Sequence, residues 1–244
     1  ASHAVMSGRV FPLTIEGLPV KVRVNGQNLV ERAEYTIDSS VIGDVPVELV
    51  YTDYVDHGGV KFPTHIIEKT DGYLTLDLTI SDVKPNAAVS LKVPDTVPPA
   101  RAATSPAPPR PRVEAKQLAP GVWHLVASNY GSVLIEFKDF LLMFEGPIDD
   151  ARSIAANEWA RATVPGKPIK YLVNSHAHFD HAGGVREYVA EGVTIITHEM
   201  NRSYYENVWN RPRRLKDALA LKPRAPVWET MSEKKVVTDG TRVL

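Results

Sequence analysis

Between residues 9 and about 93, β-branched and aromatic residues alternate with polar ones, the period-two pattern of strands that bury a single face. Turn signals cut this stretch into a meander. Val20 to Val24 turns at Asn25-Gly26, a dipeptide that tolerates the positive φ of a type I′ turn, and returns through Leu29 to Ile37. Val45 to Val55 turns near Asp56-His57-Gly58-Gly59 into Val60 to Lys69, and Asp71-Gly72 leads into Tyr73 to Ile80. With no helical periodicity in between, residues 1–93 are expected to form an antiparallel sheet whose apolar face is covered by a partner, a ligand or further sequence. Tyr51, Tyr54, Phe62 and Tyr73 read as packing of that sheet; His57, His65 and His124 read as structural.

The pattern stops at Pro94. From there to Pro120 the chain holds eight prolines and no apolar period, so residues 94–118 read as a proline-rich linker of extended, semi-rigid geometry. Residues 119–244 then alternate strand and helix. Val122 to Ala127, Ser132 to Phe137 and Phe140 to Phe144 read as strands making a sheet edge. Asp149-Asp150 caps a helix whose apolar face is Ala151, Ile154, Ala155, Trp159 and Ala162. Pro165 and Gly166 end it, and Ile169 to Val173 is a buried strand. A helix from Val185 to Ala190, a strand from Val193 to Thr197 and a helix from Glu199 to Trp209 continue the alternation. The tail from Val236 to Leu244 reads as a hairpin with an unfinished second strand.

Composition narrows the partners. At 244 residues and 43% hydrophobic content there is material for two cores. No apolar run reaches the length of a membrane span, and the amino-terminal residues lack the pattern of a secretory signal. A net charge of -1 gives no general attraction to nucleic acid. The basic residues Arg211, Arg213, Arg214, Lys216, Lys222 and Arg224 gather in one segment, read as solvated or lid-like, with an anionic substrate as the alternative. Without cysteine, any metal must be held by nitrogen and oxygen.

The chemistry concentrates in Asn174-Ser175-His176-Ala177-His178-Phe179-Asp180-His181-Ala182-Gly183-Gly184. Four ligand-type side chains, His176, His178, Asp180 and His181, fall within six residues between a buried strand and a helix. A loop at a strand end can aim such groups at one point while the glycines let backbone come close. Imidazole with carboxylate suits zinc, with manganese or iron as alternatives.

His-x-His-x-Asp-His followed by glycine resembles the signature of the metallo-β-lactamase superfamily, over roughly residues 119 to 244. The resemblance implies an α/β (α+β) protein, a partial αββα sandwich preceded by the separate β-meander. It implies two zinc ions, His176 and His178 serving one and Asp180 and His181 the other. It also implies hydrolysis by metal-bound hydroxide of an ester-, lactone-, thioester- or amide-like small molecule, with Asp180 catalytic as the group orienting the nucleophile and the following helix amino terminus adding a favourable field. Relatives complete the site with later histidines and an aspartate. Here only His198, Asp217 and Asp239 follow His181. His198 reads as an ordinary strand-end residue or one supporting the ligands from behind, so the expectation is a carboxyl-terminally truncated domain holding part of a site. Glu145, where many relatives carry aspartate, either hydrogen-bonds the metal loop or is a solvated strand-end acid. The amino-terminal meander loosely resembles periplasmic lipoprotein carriers. That resemblance implies a periplasmic or secreted location, with a cytoplasmic one left open, and an alternative function: an apolar-ligand carrier with a residual metal loop. The sequence leaves the oligomeric state open.

Overall fold

The computed structural model describes residues 8–90, 92, 94, 111–127 and 129–244. They fall into two compact units, one holding residues 8–37 and 45–90, the other Asp38–Asp44 and residues from 111 to 244.

The first unit is built on a six-stranded antiparallel meander. Its strands are β1 (Arg9–Ile15), β2 (Leu18–Val24), β3 (Val30–Ser39), β4 (Gly43–Asp56), β5 (Lys61–Thr70) and β6 (Tyr73–Thr79), paired in that order. The β2–β3 connection differs from the expected two-residue turn. Positive φ falls on Asn28, at 60°, and the Asn25 side chain accepts from the N–H groups of Gln27 and Leu29. A side chain able to mimic a backbone turn has lengthened the loop. Register places Phe11, Leu13 and Ile15 beside Val22, Val20 and Leu18, in rows continued by Ala33 and Tyr35. Val20 and Ala33 are buried, whereas Phe11, Leu13, Ile15, Tyr73, Leu74, Leu76 and Leu78 on the edge strands are exposed.

The second unit is organised by a seven-stranded sheet in the order β13-β12-β11-β10-β9-β8-β7. It comprises β7 (Glu114–Ala119), β8 (Val122–Ala127), β9 (Tyr130–Glu136), β10 (Leu141–Phe144), β11 (Ile169–Val173), β12 (Thr194–His198) and β13 (Val227–Met231). Strands β7 to β10 are antiparallel and β10 to β13 parallel, so β10 lies inside the sheet and not at its edge. All of β7 except Ala119 falls in residues read as linker. No proline falls between Pro111 and Pro120, so the backbone N–H groups of this stretch are free to join a ladder. The remainder of the expected linker lies largely outside the described residues.

Helices α1 (Asp150–Thr163), α2 (Phe179–Ala182), α3 (Val185–Glu191), α4 (Glu199–Val208) and α5 (Ala218–Leu221) connect the later strands. Alternate sheet residues Leu134, Leu141, Met143, Leu172 and Ile195 pack with Ala156, Ala160, Val185, Tyr188 and Tyr205 in one core. Their neighbours Ile135, Leu142 and Ile196 join Phe137, Phe140 and the tail residue Val237 in a second. The tail does form a hairpin, with Val237 and Leu244 exchanging backbone hydrogen bonds.

The face of α1 that packs inward is not the expected one. Arg152, Ser153, Ala156, Asn157 and Ala160 are buried, while Ile154 is exposed. Arg152 goes in because its guanidinium donates to the carbonyls of Leu125 and Tyr130, and the alanines let the helix approach the sheet. A polar inner face defeats a rule that seeks only apolar periodicity.

On α3, Glu187 is 7% exposed. Burial, then the neighbouring carboxylates Glu191 and Asp150, push its carboxyl up to about 6 from 4.5. A carboxyl raised in the folded state carries no penalty below its unfolded pKa, and the full penalty above the folded one. Stability therefore falls as pH rises between these values. Glu187→Gln should remove this contribution and raise stability by about 1 kcal/mol at pH 7.5, after allowing for solvent screening. Urea unfolding at pH 4.5 and 7.5 checks this: an equal difference between variant and parent at both pH values would refute it.

Candidate metal centre

β11 lies between β10 and β12 and delivers the chain into the loop beginning at Asn174, which is fully buried. The rings of His176 and His181 are 4.2 Å apart, and those of His176 and His178 4.7 Å. Ligand atoms of His176, Asp180 and His181 lie within 4.8 Å of one another. His178 caps the start of α2 and enters the group through its ring contact with His176; its ligand atoms are outside that set. Of the four sequence-predicted residues, three have their ligand atoms close together, and His178 adjoins them only through the His176 ring. The set is imidazole nitrogen and carboxylate oxygen, the donor types of a metal site built without thiolate. His181 Nδ1 is buried without a hydrogen-bond partner, 3.7 Å from Glu145 Oε1. These donors fit a cation.

Beneath the loop lies a polar network that the motif alone does not display. Glu145, at φ 62°, accepts from Ser175 N–H at 3.1 Å and Asn174 Nδ2 at 3.0 Å, so of its two readings the structure has the one that grips the loop. Asn174 Nδ2 also donates to His181 O at 3.2 Å. Tyr205 Oη donates its one proton to Asn174 Oδ1 at 2.5 Å, with His176 O at 3.3 Å as the weaker acceptor of the same proton. Burial, then Glu145, push the Tyr205 phenol well above its usual range, which keeps it a donor. Tyr205 is itself held in a stack with Trp209 at 4.9 Å and Trp228 at 5.9 Å. Tyr205 went unread in the sequence. Its spacing from Trp209, one helical turn, was the available signal.

His198 is the N-cap of α4: Nδ1 accepts from Met200 N–H, and Nε2 stands 3.1 Å from Ser232 O. It is a strand-end residue in this structure. α2 is a single turn, so the favourable helix field expected at its amino terminus is small. The basic segment is only partly solvated, because the Arg213 side chain is 7% exposed.

The model of the metallo-beta-lactamase superfamily matches residues 132–242. This segment of the chain is similar to a metallo-beta-lactamase superfamily domain, and the sheet-dominated α/β architecture, with a β-rich unit preceding it, is consistent with that similarity. Among solved structures, similarity extends to a metallo-beta-lactamase of Pseudomonas aeruginosa in its mono-zinc form (22% identity, 46% of this chain, 54% of that one, TM-score 0.37). It extends also to one from Hirschia baltica (24%, 42% and 51%, 0.36) and one from Pontibacter korlensis (15%, 54% and 58%, 0.41). The chain spans about half the length of the metallo-beta-lactamases it matches. No curated protein matches it.

Proposed function

We propose that the chain belongs to a metal-dependent hydrolase acting on an ester-, lactone-, thioester- or amide-like small molecule. The observation that carries this is the convergence of His176, Asp180 and His181, with His178 beside them, on a buried polar support. His176, His178, Asp180 and His181 would hold zinc, two ions in the complete site. When bound, the cation supplies Lewis acidity, which makes water nucleophilic at neutral pH and polarises the substrate oxygen. Asp180, at the start of α2, accepts a hydrogen bond from the attacking water and orients it. Glu145 stands 3.7 Å from His181 Nδ1, beyond hydrogen-bond reach, and holds the loop through Asn174 Nδ2 and Ser175 N–H. Asn174 and Tyr205 fix the carbonyls of His181 and His176, the two ends of the ligand run, so the side chains are placed before substrate arrives.

Elemental analysis of the purified, dialysed chain beside His178→Ala and His181→Ala tests the reading. The parent should retain about one zinc or more, and each variant clearly less. A parent holding no more metal than its variants would sink the proposal. The second reading, an apolar-ligand carrier, would then lead. It has the exposed apolar side chains of β1 and β6 in its favour, and enhanced emission of an apolar fluorescent probe is its test.

A further inference from the structure

Within the second unit, the segment Asp38–Asp44 is gripped by residues 211–214. The Arg213 guanidinium addresses three successive carbonyls: Nη1 donates to Ser39 O at 3.2 Å and Ser40 O at 3.1 Å, and Nη2 to Val41 O at 2.7 Å. Arg214 pairs with Asp38 Oδ1 at 3.2 Å, and its backbone N–H donates to Asp44 Oδ1 at 2.9 Å. Asp44 N–H in turn donates to Pro212 O at 2.8 Å. Gly43 makes that approach possible: its φ is 97°, and a Cβ there would stand 2.7 Å from Pro212 O. Val41, 3% exposed, is part of the helix-side core.

From this segment, close contacts lead to the metal loop. A Cβ on Gly183 would meet Ser40 Oγ at 2.7 Å and Ile148 O at 2.0 Å, so three pieces of chain converge there without spare room. Ile148 has φ 72°, a conformation that a β-branched residue holds only when its surroundings enforce it. Its N–H donates to Phe179 O at 2.8 Å, at the start of α2. α2, which carries Asp180 and His181, is four residues long and has little helical stability of its own. What packs around it decides where it sits.

We infer that Asp38–Asp44 is a strap that positions α2, and that Arg213 is the positioning residue that holds the strap. Remove the guanidinium and three inward carbonyls lose their donor. The strap loosens, the strained Ile148 is released, and α2 loses one wall. The consequence for metal rests on the hydrolase reading above; the consequence for α2 does not. On this account the segment is an integral part of the metal-loop unit, although it comes from the opposite end of the chain.

The test uses the full chain carrying Arg213→Ala, with Lys222→Ala, from the same basic stretch, as control. Two quantities are read: zinc affinity by competition with a chromophoric chelator, and hydrogen exchange of the amides of Gly146, Ile148 and Asp149 and of residues 179–183. Arg213→Ala should weaken zinc by about tenfold or more and speed exchange in both stretches, while Lys222→Ala changes neither. Unchanged exchange in Arg213→Ala overturns the strap. Faster exchange with undiminished zinc affinity overturns its link to the metal. If the parent itself binds no zinc, the hydrolase reading falls, and exchange alone decides for or against the strap. Should Arg213→Ala fail to fold, Val41→Ala, which loosens the same segment by removing two methyl groups, takes its place under the same criteria.

Discussion

Asn174→Ala should destabilise the protein by on the order of 3–5 kcal/mol and, on the proposed metal-dependent reading, lower the zinc held per chain. Asn174 is fully buried, and its amide serves three partners: it accepts from Tyr205 Oη and donates to Glu145 Oε2 and His181 O. Alanine fills none of these roles. Each buried polar group left without a partner costs about 1–3 kcal/mol, and because the three share one hub the total is less than their separate sum. Tyr205→Phe makes the comparison. It removes a single donor, so about 1–2 kcal/mol is expected, and the double variant should fall short of additivity because the two changes break the same bond. Urea unfolding followed by far-UV circular dichroism, with zinc per chain on the same samples, checks both. An Asn174→Ala protein within about 1 kcal/mol of the parent would mean that the network does not hold the loop.

The parts of this protein that were legible in its sequence are those decided by neighbours along the chain. Alternation gave the meander of the first unit and the strands around the histidine-rich loop, and the His176 to His181 run placed four ligand-type side chains within six residues. The misreadings arise where distant residues decide. The inner face of α1 is carried by Arg152, Ser153 and Asn157, whose burial depends on carbonyls more than twenty residues away in the case of Arg152. Arg213 looked like one solvated cation among several, but its partners lie about 170 positions earlier. Nothing local to the basic segment marks that residue apart from Arg214 or Lys216. Asn174 stood inside the motif segment, yet its role became visible only once Tyr205 and Glu145 were folded against it.

Gly183→Ala should be nearly as damaging as loss of the Asn174 amide, for a reason of space instead of hydrogen bonding. Gly183 closes α2 with ordinary helical dihedrals, so alanine is acceptable to its own backbone. The obstacle is what the new methyl meets: Ile148 O at 2.0 Å and Ile148 C at 2.5 Å, with Ser40 Oγ at 2.7 Å. Two of the three are backbone atoms of a residue already strained at φ 72° and tied to Phe179 O, so no side-chain rotation relieves the clash. α2 must move away from the Ile148 loop. That displaces His181 O from its bonds to Gly146 N–H and Asn174 Nδ2, and carries Asp180 and the His181 imidazole with it. A loss of about 3 kcal/mol is expected, at the upper end for overpacking, together with zinc affinity reduced by about tenfold or more. Pairing the change with Ser40→Gly separates the two neighbours. The second substitution removes the hydroxyl but leaves the Ile148 carbonyl in place, so it should restore neither thermal midpoint nor zinc. Full rescue would show that Ser40 is the true obstruction and that the Ile148 loop yields freely, which would also deprive Ile148 of its part in positioning α2.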